Sequence, residues 1–131
     1  MIVYEVNKPL EAADVARLFD ASTIRRPTGD LPRIARMLQH GNLTVSAWDG
    51  GKLIGISRSL TDFAFCCYLS DLAVDKTYQH RGIGKEMIAI TQREIGDGVA
   101  LILLAAPEAM DYYPKVGFAK IDNGYIIKRR R

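Results

Sequence analysis

The segment Gln79–Lys85, QHRGIGK, constrains this chain more than any other stretch. It lies between an apolar, strand-like run that ends at Val74 and a helical pattern that starts at Gly82. A helix start leaves its first backbone N–H groups without partners, and the macrodipole places roughly +0.5 charge there. Gly82 and Gly84 remove the side chains that would block an approach to those groups, and Arg81 and Lys85 bracket the turn with positive charge. Bases at a helix start cost about 0.3–1 kcal/mol each unless an anion offsets them. The segment therefore predicts a strand–turn–helix unit that seats a phosphate, the alternative being a plain packing loop with two solvated bases. Two phosphate loops are excluded. The ATP loop needs a glycine where Gln79 stands and Ser or Thr where Glu86 stands. The dinucleotide fingerprint needs a third glycine where Met87 stands.

Around this unit the hydrophobic pattern alternates between helical and strand periods. Ile2–Val6 reads as a strand, Leu10–Phe19 as a helix, and Leu31–Leu38 as a second helix capped by Asp30 and stopped at Gly41. Leu43–Trp48 and Lys52–Leu60 alternate as strands around Asp49-Gly50-Gly51, a tight hairpin turn. Phe63–Val74 is a long strand-like run interrupted at Ser70-Asp71. The helix from Gly82 ends at Gly96 and Gly98. Val99–Ala106 is apolar on both faces, the mark of a central strand. Met110–Val116 predicts a short helix, and Phe118–Ile121 with Tyr125–Arg129 a last hairpin. The expected order is β-α-α-β-β-β-α-β-α-β-β, a mixed α/β sheet flanked by helices, forming one domain over residues 1–131.

Charge narrows the function classes. The net +3 comes from 18 Lys and Arg against 15 Asp and Glu, and Lys128–Arg131 carries four of the bases. Without them 14 basic residues face 15 acidic ones, which argues against a nucleic-acid partner. Cys66 and Cys67 are adjacent and point to opposite faces of a strand, so no disulfide framework is expected and a reducing, cytoplasmic setting fits. No set of Cys and His has metal-site spacing. The N-terminus reads as a strand rather than a signal peptide. The longest apolar run, Val99–Ala106, falls far short of the ~20 residues a membrane span needs.

The pattern that does fit is Q/R-x-x-G-x-G/A, as Gln79-x-x-Gly82-x-Gly84. It resembles the acetyl-CoA motif of the GNAT family of N-acetyltransferases. The stretch YLSDLAVDKTYQHRGIGKEMI, Tyr68–Ile88, is similar to that family's fourth strand, loop and third helix in continuous register. YYPKVGF, Tyr112–Phe118, resembles its FYxKLGF signature. The element order matches along essentially the whole chain, so the resemblance implies the GNAT fold, with a mostly antiparallel central sheet.

The resemblance implies acetyl-CoA as co-substrate. The backbone amides of His80, Arg81, Gly82, Ile83, Gly84 and Lys85 would cradle its diphosphate, behind Gln79. The pantetheine would lie like an extra strand beside Leu72, Ala73 and Val74, with a bulge aiming an amide near Leu72 or Ala73 at the thioester oxygen. Tyr113 matches the family tyrosine that acts as general acid, although Pro114 disfavours helical geometry at Tyr113. Tyr112 is expected to pack. The base is open: Ser70 stands where polyamine acetyltransferases carry a glutamate, Asp71 is the nearest carboxylate, and proton loss through water is the alternative.

On the acceptor side, Arg25 and Arg26 lie in the loop between the first two helices, where they can meet an acidic group, and Tyr68 and Phe65 can stack on an amine. GISRSLTDFAF followed by YLSDLAV is similar to small GNAT enzymes acting on aryl-alkyl amines, including the plant and cyanobacterial type that acetylates serotonin. The expected acceptor is a small primary amine. Transfer to a protein or peptide amine, and a non-catalytic acyl-CoA sensor, are the rival readings. Exposed edges of such sheets also allow a homodimer.

Overall fold

The computed structural model describes residues 1–131. The chain runs β1 (Ile2–Val6), α1 (Ala12–Ala21), α2 (Leu31–His40), β2 (Leu43–Asp49), β3 (Lys52–Thr61), β4 (Cys66–Val74), α3 (Ile83–Ile95), β5 (Ala100–Ile102) and α4 (Tyr112–Lys115). Short 3₁₀ turns at Lys76–Tyr78 and Pro107–Ala109 were not anticipated. The five strands form one sheet in sequence order, antiparallel except for the parallel β4–β5 pair. A parallel pair needs a crossover, and α3 supplies it.

Local chemistry accounts for the elements. Asp30 caps α2 by accepting a hydrogen bond from the Arg33 amide at 3.1 Å. Gly50 takes φ +62° in the two-residue turn between β2 and β3, which side-chain-bearing residues resist. Asp62 organises the next turn: its carboxylate accepts from the amides of Ala64, Phe65 and Cys66, which hold its pKa down at about 2. Pro114 sits inside the first turn of α4, where no amide is needed, so Tyr113 is helical despite the proline that follows it.

The sheet is covered on both faces. α1 and α2 bury Val15, Leu18, Phe19 and Ile34 against Leu53, Ile56 and Ala73. On the other face α3 buries Ile83, Met87 and Ile90 against Val45, Ala47 and Ile54. α3 lies close because Gly55 has no side chain. A Cβ there would meet the Ala47 Cβ and the Met87 Cε at 3.2 Å each.

Two expectations fail. The Val99–Ala106 run is not a central strand: β5 holds three residues, ends the sheet, and leaves Ile102 and Leu104 exposed. The last hairpin does not form, and residues 119–131 are exposed and outside any strand. Asp122-Asn123-Gly124 gives a turn signal, but an isolated two-stranded hairpin has nothing to bury its apolar side against.

Gly55→Val should lower the unfolding free energy by about 1–3 kcal/mol through overpacking under α3. Urea denaturation followed by circular dichroism checks this, and Gly51→Val, in open space at the hairpin turn, serves as the control.

Candidate active site

β4 and β5 pair only from Cys66–Ala100 to Tyr68–Ile102. Beyond that point they diverge, and β4 runs on to Val74 with its β5-facing edge bare. The gap opens into a cleft of about 1060 Å³, walled by Leu69, Ser70, Leu72 and Val74 on one side and Leu103–Ala106 on the other. The glycine turn closes one end, and Arg25, Arg26, Tyr112 and Tyr113 also reach in.

The turn is held by its first residue. The Gln79 amide nitrogen Nε2 donates to the Val74 carbonyl at 3.0 Å, tying the loop to the end of β4. His80 then takes φ +66° and Gly82 φ +79°, left-handed residues that turn successive amides inward. α3 begins at Ile83, and the first satisfied helical amide is that of Glu86, which donates to the Gly82 carbonyl at 3.0 Å. The six amides from His80 to Lys85 donate to no acceptor in the chain. Arg81 lies over the Tyr78 ring at 5.1 Å, and the Tyr78 hydroxyl donates to Asp49 at 2.5 Å.

Tyr112 packs against the glycine turn. A Cβ on Gly84 would come within 2.7 Å of the Tyr112 hydroxyl, so this glycine makes room for that hydroxyl at the mouth of the turn. Tyr113 stacks edge-on against Tyr112 at 5.3 Å and Phe118 at 5.4 Å. Burial first, and then Tyr112, push the Tyr113 hydroxyl pKa above the ordinary tyrosine value, against the pull of Arg26. It stays protonated across the neutral range.

Asp71 lies outside the cleft lining and is fully buried. Arg58 Nε donates to one carboxylate oxygen at 2.5 Å and Arg26 Nε to the other at 2.6 Å. Arg58 also donates to the Met37 carbonyl and to the Ser70 hydroxyl, and Arg26 donates to the Ser70 carbonyl at 2.8 Å. The network joins β3, β4, the end of α2 and the loop before it. The bulge in β4 falls at Ser70, where Arg58 faces Asp71 but Ser59 faces Leu69, two residues before the expected place.

The sequence match of residues 31–128 to the acetyltransferase (GNAT) domain family model agrees with this arrangement. The chain belongs to the GNAT family. Among relatives, it is 27% identical over 133 residues to the probable acetyltransferase TAP2 of Glycine max, covering 89% of this chain and 51% of that protein. The chain spans about half or less of the length of several such plant relatives. A probable acetyltransferase from methicillin-resistant Staphylococcus aureus superposes with TM-score 0.83 at 24% identity, covering 98% of this chain and all of that one. An aminoglycoside N-acetyltransferase, AAC(6')-Iy, solved in complex with CoA, superposes with TM-score 0.74 at 16% identity, covering 100% of this chain and 96% of that one.

In this GNAT domain the residues expected from sequence divide. Leu72, Val74, Gln79, His80, Gly82, Ile83, Gly84, Lys85, Arg25 and Tyr113 line the cleft. Arg81 is at its rim through Tyr78, and Ala73 is buried in the opposite core, so only its backbone is near. Tyr68 lies at the paired end of β4, opposite Ile102, and does not line the cleft. Sequence reasoning missed Arg58, the engagement of Arg26, and Glu108, the one carboxylate in the lining.

Two predictions follow from this geometry. Asp71→Ala strands two guanidinium groups and should destabilise the fold by about 3–5 kcal/mol, read from the denaturation midpoint. Gly84→Ala should weaken ligand binding in the cleft, and adding Tyr112→Phe, which removes the clashing hydroxyl, should restore most of it in a calorimetric titration.

Proposed function

We propose that this GNAT domain binds acetyl-CoA in the cleft and transfers its acetyl group to a primary amine of a small molecule. The observation that carries the reading is the strip of six unpartnered amides, His80–Lys85, opening into the same cleft as the bare edge of β4. Amides and a helix N-terminus recognise a diphosphate. A bare strand edge offers alternating donors and acceptors to an extended amide-bearing chain. CoA carries both chemistries, and the solved aminoglycoside acetyltransferase with CoA shares the fold. Arg81 and Lys85 add charge at the phosphate end.

Bound acetyl-CoA supplies an acyl group activated as a thioester. The residues do the rest. The β4 backbone near Leu72 would hold the pantetheine arm, and an amide after the Ser70 bulge would be the donor available to the thioester oxygen. Tyr113 holds a proton on its hydroxyl and gives it to the departing sulfur, whose thiol pKa of about 8.5 is below that of a phenol. Asp71 acts by position: with both oxygens on arginines, it fixes Arg26 and Ser70 at the wall of the cleft rather than taking a proton from the amine. The amine proton leaves to water or to Glu108, the carboxylate that faces the cleft. Arg25, free at the loop, meets an acidic group on the acceptor. Cys66 and Cys67 are both free thiols, which fits a reducing compartment such as the cytoplasm.

A protein acceptor is a second reading, favoured by similarity to a soybean protein named histone acetyltransferase TAP1. Calorimetry with acetyl-CoA, followed by thiol release over a panel of arylalkyl amines, aminoglycosides and lysine peptides, separates the readings. Turnover with small amines alone supports the proposal. Turnover with peptides alone supports the second reading, and binding without thiol release from any amine marks a sensor.

Tyr113→Phe should lower kcat by about 100-fold or more while leaving acetyl-CoA affinity unchanged. The raised Tyr113 pKa also places the alkaline loss of kcat above pH ~10, because the acid must keep its proton to act. An alkaline limb that persists unchanged in Tyr113→Phe would remove Tyr113 from the reaction.

A further inference from the structure

The charges that line the cleft are unevenly placed. Lys85 stands at the glycine turn, while Arg25 and Arg26 stand together on the loop between α1 and α2. Glu108 is the one carboxylate of the lining, and it follows Leu103–Ala106 on the far wall. Asp71 does not offset the arginine pair, because Arg58 takes one of its oxygens and Arg26 the other, so one negative charge is shared between two cations. Each guanidinium nitrogen of Arg26 already donates once inside the chain: Nε to Asp71 at 2.6 Å, Nη1 to the Arg25 carbonyl at 2.6 Å and Nη2 to the Ser70 carbonyl at 2.8 Å. Both Nη atoms keep a second N–H with no acceptor in the chain, on a side chain that is 29% exposed and lines the cleft. The Arg25 side chain is exposed and pairs with no carboxylate.

We infer that the acceptor is an amino acid, an amine whose own carboxylate sits on Arg25 and Arg26 while its amino group faces Glu108. The inference rests on the transferase reading above and names the class of its acceptor. Arginine meets a carboxylate through paired N–H donors. A guanidinium already fixed by Asp71 and Ser70 gives up little freedom in doing so. Arg26 Nη2 is on the carbonyl of Ser70, the residue at the bulge, so the anion site lies beside the stretch of β4 assigned to the acyl group. Arg26 Nη1 ties the Arg25 backbone to the same place. The acid group and the amine are then a short way apart, as in an amino acid, and not at the two ends of a long chain. Ile24, Leu69 and Tyr113 give the rest of the acceptor an apolar lining. A polycationic amine meets the reverse arrangement: its second ammonium faces the two arginines, and like charge in a cleft rejects a partner.

The test measures thiol release by the full chain from acetyl-CoA, with matched acceptors that differ by the carboxylate alone: tryptophan with tryptamine, phenylalanine with phenethylamine, and 4-aminobutyrate with propylamine. In at least one pair kcat/KM should favour the amino acid by about 10–100-fold, the range of a hydrogen bond to a charged group, and spermidine should be the poorest acceptor. Arg26 also holds Asp71, so the variants are made at Arg25. Arg25→Gln should bring the preference close to one through KM, and Arg25→Glu should invert it in favour of the bare amine, with the circular dichroism spectrum unchanged. A wild type that favours the amino acid in no pair, or that turns over only spermidine or lysine peptides, overturns the inference. So does a preference that Arg25→Glu leaves intact. Calorimetry keeps the two failures apart: acetyl-CoA bound without thiol release from any amine overturns the transferase reading and this inference together.

Discussion

Backbone polar groups must find partners, and this fold leaves two strips of them open to one cavity. One strip is the edge of β4 after β5 turns away at Tyr68 and Ile102. The other is the run of amides from His80 to Lys85, where left-handed residues and a helix start coincide. Several other features hold the two strips in place. Gln79 satisfies the Val74 carbonyl and fixes where the strand stops and the turn begins. Gly55 lets α3 sit down on the sheet, which sets the height of its N-terminus over β4. Tyr112, seated against Gly84, limits what can enter the mouth.

The wall of the cavity has its own support. Asp71 is buried with a carboxylate oxygen on each of two arginines, so one negative charge faces two positive ones. Such a group is costly to bury and costlier to leave unpaired. Its position just after the Ser70 bulge anchors β4 where the strand shifts register. Arg58 carries the tie to the end of α2 and Arg26 carries it to the loop between α1 and α2, so that loop and β4 are fastened at the same point of the cleft wall.

Much of this was legible in the sequence because it rests on local chemistry. The glycine turn, the Asp49-Gly50-Gly51 hairpin, the Asp30 cap and the helical stripe of α3 each follow from neighbouring residues, and the structure has them. What was illegible depends on contacts distant in the chain. Arg58 and Asp71 are thirteen positions apart, and Arg26 and Asp71 forty-five, so no spacing rule joins them. In sequence Asp71 is the nearest carboxylate to the strand's bulge, and its burial between two arginines cannot be read from its neighbours. The Val99–Ala106 run has the composition of a central strand, and composition alone does not say where in the sheet a strand sits or how far it pairs.

The account stands on the six amides gripping a diphosphate. Amide hydrogen exchange, resolved by residue, with and without CoA is the direct measurement. The amides of His80–Lys85 should exchange markedly more slowly in the complex, with those of the β4 edge following. CoA binding that leaves these six amides exchanging at their free rate would contradict it.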